Sequence, residues 1–98
     1  MSDVEVKNNP DENRYEAWLD GELAGIAVYG LGPSTIVFLH TEVDDKFEGK
    51  GVGSALAKSA LDDVRAGGAY DVIPLCPFIK AYIERHPDYQ DLVHHKRA

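Results

Sequence analysis

Cys76, His40 and Glu42 are the side chains of this chain best suited to acyl or proton transfer. Cys76 precedes Pro77 at a predicted helix start, where the helix field favours negative charge on sulfur. A thiol there can accept an acyl group and pass it on. It can equally be a small buried residue or line a ligand's path. His40 and Glu42 stand two apart on a predicted strand, so they share a face while Thr41 takes the other. Imidazole exchanges protons near neutrality, so His40 could serve Cys76 as a base if folding joins them. Either His40 or Glu42 could instead deprotonate an amine directly. The competing readings are a hydrogen-bonded structural histidine and a solvated or helix-capping carboxylate.

A second feature is the run Phe47-Glu48-Gly49-Lys50-Gly51-Val52-Gly53-Ser54. Glycines let a backbone approach a ligand closely. The first amides of a helix have no partners within it, so they can bind an anion such as a phosphate. Lys50 adds one positive charge. The spacing fits neither a P-loop nor a dinucleotide-binding fingerprint. A tight turn with close helix–sheet packing is the plainer alternative.

The elements that must position these groups change period midway. Val4 and Val6 alternate with Glu5 and Lys7, and Asn8-Asn9-Pro10-Asp11 makes a turn. Arg14 to Asp20 is a strand with Tyr15, Ala17 and Leu19 on one face. Asp20-Gly21 is a two-residue hairpin signal, followed by a return strand over Leu23 to Tyr29. Gly30-Leu31-Gly32-Pro33 breaks it, and Ser34 to Val43 is a fourth strand. From Gly51 the row Val52, Leu56, Ala60, Val64 has helical spacing, ended by Gly67-Gly68. Tyr70 to Leu75 is a short strand. A second helix starts at Pro77 and closes at His86-Pro87, and Asp91 to Val93 adds a last turn. The order ββββαβα predicts an α+β fold: a mixed, mainly antiparallel sheet with helices to cover its faces.

Composition bounds the function. The 98 residues are 44% hydrophobic and 28% charged, one domain's worth over 1–98. The net charge of -7 argues against a nucleic-acid binder. It is uneven: residues 1–48 hold eleven acids and three bases, residues 49–98 six acids and seven bases. One cysteine excludes an internal disulfide and a Cys-rich zinc site, and no metal is expected. No apolar run nears the ~20 residues of a membrane span, and the N-terminus lacks signal-peptide features. A soluble, cytoplasmic protein with no membrane partner is expected. His94-His95-Lys96-Arg97 reads as a mobile basic tail.

Four ordered motifs carry a resemblance. They are His40-Thr41-Glu42-Val43, the glycines 49, 51 and 53, Pro74-Leu75-Cys76-Pro77-Phe78, and Tyr82-Ile83-Glu84-Arg85-His86-Pro87-Asp88-Tyr89. Together, from about Tyr15 to Val93, they resemble the compact YjdJ-type domain of the GNAT (N-acetyltransferase) superfamily. The resemblance implies an acyl-CoA pyrophosphate site at Gly49, Lys50, Gly51, Val52, Gly53 and Ser54. It implies that the backbone of Thr41 to Val43 pairs with the pantetheine arm, and that the Val43 amide polarises the thioester carbonyl. Pro77 would stand beside the CoA path, and Tyr82 is a candidate proton donor to the departing thiolate, with core packing as its alternative.

Two departures stand out. Glu48 occupies a position where the superfamily has Gln or Arg, so its side chain is expected to turn away. The chain also lacks the helical pair that usually follows the first strand and shapes the acceptor pocket. Acetyl-CoA is the implied donor and an unidentified amine, small molecule or protein, the acceptor. The alternative is a non-catalytic acyl-CoA-binding or protein-interaction module. A monomer or weak homodimer is expected.

Overall fold

The computed structural model describes residues 4–94. His95, Lys96 and Arg97 of the expected basic tail lie outside them. Five strands form one sheet in the order β1-β2-β3-β4-β5. They are β1 (Glu5–Asn9), β2 (Arg14–Leu19), β3 (Glu22–Leu31), β4 (Thr35–Val43) and β5 (Asp71–Pro74). The first four pair antiparallel, and β5 runs parallel to β4 after the crossover through helix α1 (Val52–Gly67). Helix α2 (Pro77–Arg85) follows β5. Short 3-10 helices cover Asp45–Phe47 and Pro87–Leu92.

Local chemistry explains the boundaries. Asp20 and Gly21 both take left-handed φ, 51° and 78°, as a two-residue hairpin turn requires. Helix α1 ends on Gly68, whose φ is 66° and whose N–H donates to Val64 O. Strand β3 runs two residues past the expected break at Gly30. Gly30 pairs with Val37 and Leu31 with Ile36, so only Gly32-Pro33 turns the chain. The expected last turn at Asp91 to Val93 begins earlier, at Pro87.

Both helices pack on the same sheet face, not on two. Val52, Leu56, Ala57, Ala60, Leu61 and Val64 of α1 and Ile79 and Ile83 of α2 join one core with Tyr15, Ala17, Ala27, Tyr29, Ile36 and Phe38 of the sheet. Gly25 makes the close approach possible. A Cβ there would lie 3.0 Å from Val52 Cγ1 and 2.8 Å from the backbone oxygen of Glu42. The opposite face stays open. It carries Trp18, Ile26 and Val28, all half-buried, among polar side chains.

One irregularity decides which residues reach which face. Tyr29 pairs with Phe38 and Val28 with His40, so Leu39 is an extra, bulged residue of β4. Ile36 and Phe38 point at the helices. Beyond the bulge the alternation is inverted. Thr41 and Val43, opposite Ala27 and Gly25, now point at the helices, while His40 and Glu42 point to the open face.

Candidate active site

The site lies where β4 and β5 part. Strand β5 pairs with β4 only as far as Phe38↔Pro74. The Cys76 N–H then donates to Phe38 O at 2.8 Å and the chain turns into α2. Residues 39–43 of β4 keep β3 on one side and have no strand on the other. The Asp44 N–H donates to Ala24 O, toward β3. By alternation the N–H and C=O of Val43 and Thr41 face the vacated edge. That edge can pair with an extended amide-bearing ligand.

The glycine run abuts this edge. Gly49 and Gly51 take left-handed φ of 79° and 78°, and Gly51 caps α1 with no side-chain hydrogen bond. The first amides of α1 are therefore left to a ligand. A shallow hollow of about 230 Å³ is lined by Val43, Phe47, Glu48, Gly49, Gly51, Val52, Gly53, Ser54 and Phe78. Two expectations change here. Lys50 is exposed and does not line the hollow, because the left-handed glycines on either side carry it into solvent. Glu48, expected to turn away, does line it.

Phe78 closes the third motif but was not among the expected site residues. It is 41% exposed, and a Cβ on Gly53 would lie 2.9 Å from its Cζ. Gly53 thus makes room for this ring as well as for any ligand.

The three proposed catalytic side chains fall into two groups. Cys76 is the N-cap of α2, only 2% exposed, and its sulfur lies 3.4 Å from Thr41 Oγ1. Pro77 is the first residue of that helix. His40 Nε2 lies 3.0 Å from Glu42 Oε2, with both side chains exposed. The expected His40–Cys76 pairing is not formed. The bulge sends His40 to the open face, and Thr41 meets the thiol instead.

Beside Glu42, a hollow of about 240 Å³ is lined by Arg14, Leu23, Ala24, Gly25, Ile26, Glu42, Val43 and Asp44. Val43 lines both this hollow and the one at the glycine run. Nearby, Glu16 is almost fully buried and accepts from Asn9, Arg14 and Trp18. These bonds, that from Asn9 foremost, hold its carboxyl below the usual range against the opposing effect of burial.

Tyr82 belongs to a different cluster. Its ring stacks on His86 at 4.0 Å between centroids and tilts against Tyr89 at 6.1 Å. Tyr89 donates to Asp62 Oδ1 of α1 at 2.7 Å, a bond that pushes its hydroxyl up to about 12. The packing alternative describes these contacts of Tyr82. Among the described residues no group of three or more His, Cys, Asp or Glu is gathered to hold a metal ion. No helix among them is long and apolar enough to cross a membrane.

Comparison with known proteins points the same way. A family profile described as GCN5-related N-acetyl-transferase matches residues 14–92. The chain is 28% identical over 88 residues to Protein NATD1 of Xenopus tropicalis, covering 88% of this chain and 80% of that protein. The solution structure of a proposed GCN5-like N-acetyltransferase from Staphylococcus aureus superposes with a TM-score of 0.70 at 27% identity. That match covers 99% of this chain and 94% of the other. A ribosomal-protein-alanine N-acetyltransferase from Brucella melitensis biovar Abortus 2308 shares the fold, with a TM-score of 0.59 at 18% identity. It is matched over 87% of this chain and 63% of its own.

Proposed function

The chain belongs to the GCN5-related N-acetyltransferase family, and on that premise we propose that it transfers an acetyl group from acetyl-CoA to an amine. The observation that carries this reading is the vacated edge of β4 ending beside the uncapped start of α1. An extended pantetheine arm pairs with Thr41 and Val43, and the pyrophosphate sits on the amides of Gly51 to Ser54. Lys50 contributes only long-range attraction from solvent.

We assign the acceptor to the hollow on the open face beside Glu42, which the missing helical pair leaves uncovered. Glu42, oriented by His40, takes the proton of the attacking amine. The nitrogen forms its bond to the acetyl carbon, giving a tetrahedral oxyanion that then collapses with breakage of the carbon–sulfur bond. The departing thiolate takes its proton from water. The Val43 amide stabilises the oxyanion between these events. Direct transfer is favoured over a Cys76 relay because the thiol is buried and held by Thr41, while His40 and Glu42 are open to an acceptor.

The test is calorimetry with acetyl-CoA followed by release of free thiol against a panel of amines. Binding with amine-dependent release is expected. No heat at about millimolar ligand would overturn the reading. Binding without release from any amine would establish the non-catalytic module. A covalent acetyl adduct absent from Cys76→Ala, with transfer also lost, would replace direct transfer by the relay.

A further inference from the structure

A cavity of about 470 Å³ lies at the far end of α1 from the glycine run. The helix has 16 residues, so about 22 Å separates its two ends. The cavity's apolar floor is Leu31, Ile36 and Val64. Its polar wall is Asn8, Asp63 and the tyrosines. Among the described residues Asp63 is the one charged residue that lines it.

The hydrogen bonds of the wall all run one way. Tyr15 spends its hydroxyl proton on Asp63 Oδ2 at 2.6 Å. Tyr29 spends its own on Asn8 Oδ1 at 2.7 Å. Both phenols are thereby left with lone pairs to offer. Among the described residues only Tyr15 hydrogen-bonds the Asp63 carboxylate, which leaves Oδ1 open. The last carbonyls of α1, at Ala66 and Gly67, add the negative end of the helix dipole. Arg65, the cation on the same turn, is held by both oxygens of Asp91 and by the Asp88 carbonyl. The cavity therefore presents one carboxylate and two phenol acceptors above an apolar floor, with the Asn8 amide and the Tyr70 phenol as neutral polar groups beside them.

We propose that this cavity binds a small organic cation, a protonated amine carrying an apolar body, as a site separate from acetyl transfer. The ammonium bonds Asp63 and the tyrosine oxygens, and the hydrocarbon covers Leu31, Ile36 and Val64. The distance along α1 means that an amine seated here is not the one acetylated. The inference rests on the cavity alone and holds whether or not the chain turns over acetyl-CoA.

The probe is 2-phenylethylamine, with neutral 2-phenylethanol as its isostere, titrated into the isotopically labelled full chain by NMR. The amine should shift the amides of residues 63–70 and saturate with a Kd on the order of 1 mM or tighter. The alcohol should bind about tenfold or more weakly, and Asp63→Asn should erase that difference. Leu31→Lys, at a site 51% exposed, provides a second variant that leaves the core alone. It should weaken the amine several-fold more than the alcohol, which loses only part of its apolar floor. Shifts confined to β4 and the glycine run would overturn the proposal. So would equal affinities for the two probes, or an amine affinity unchanged in Leu31→Lys.

Discussion

Strand β4 has two halves that share a backbone and differ in their neighbours. From Thr35 to Phe38 it lies between β3 and β5. There Phe38 sits 6.4 Å from both Tyr15 and Tyr29 by ring centroids. From Leu39 to Val43 it has β3 alone. The first half spends its hydrogen bonds and side chains on the fold. The second keeps one row of main-chain groups and one row of side chains in reserve. A single inserted residue, Leu39, separates the two regimes and reverses which side chains face inward. In so small a domain, the site is what the core leaves unsatisfied.

That contrast can be broken at the core half. Phe38→Ala should cost about 3–5 kcal/mol, enough to unfold much of the population, read as a collapse of the denaturant midpoint. The open half should behave oppositely. Glu42→Gln should lower kcat by about a hundredfold while the melting temperature stays put. Equal loss of stability in the two variants would erase the distinction.

The boundary between fold and site can be sharpened at Gly53. Gly53→Ala forces its methyl against Phe78 and should cost about 1–3 kcal/mol, shared between stability and acetyl-CoA affinity. Adding Phe78→Ala should restore part of the affinity, measured by calorimetry. If it does not, the glycine is there for the ligand alone. The smallest effect concerns pH. The lowered carboxyl of Glu16 contributes stability that is present above its unfolded pKa of about 4.3. That contribution is lost as pH falls through the folded value. Acid melts of Glu16→Gln should show a shallower decline than the parent.

Much of this was readable from residue order. Ile36 and Phe38 alternate, Val52 to Val64 steps by four, and Asp20-Gly21 announces its turn, because each signal is local. The bulge at Leu39 is not local. It follows from how β3 and β4 pair, and nothing in the order of residues marks it. So the shared face of His40 and Glu42 was legible, but the partner of Cys76 was not. The direction of Lys50 was hidden for a similar reason. Its charge is visible in the sequence, whereas its direction depends on the left-handed φ of Gly49 and Gly51. The approach of Phe78 to Gly53 joins two helices and is likewise not local.

The end of the described chain has one more role. The His94 N–H donates to Val72 O at 2.8 Å, and Val93 bridges Val72 in parallel. Strand β5 is the sheet's border, and Val72 is its buried centre. An unprotected border of this kind is a template on which a second molecule can build. Two residues laid against it occupy the groups that such self-association would use. This pairing of Val93 and His94 with Val72 is thus a guard against aggregation, and shortening the protein before Val93 would remove it.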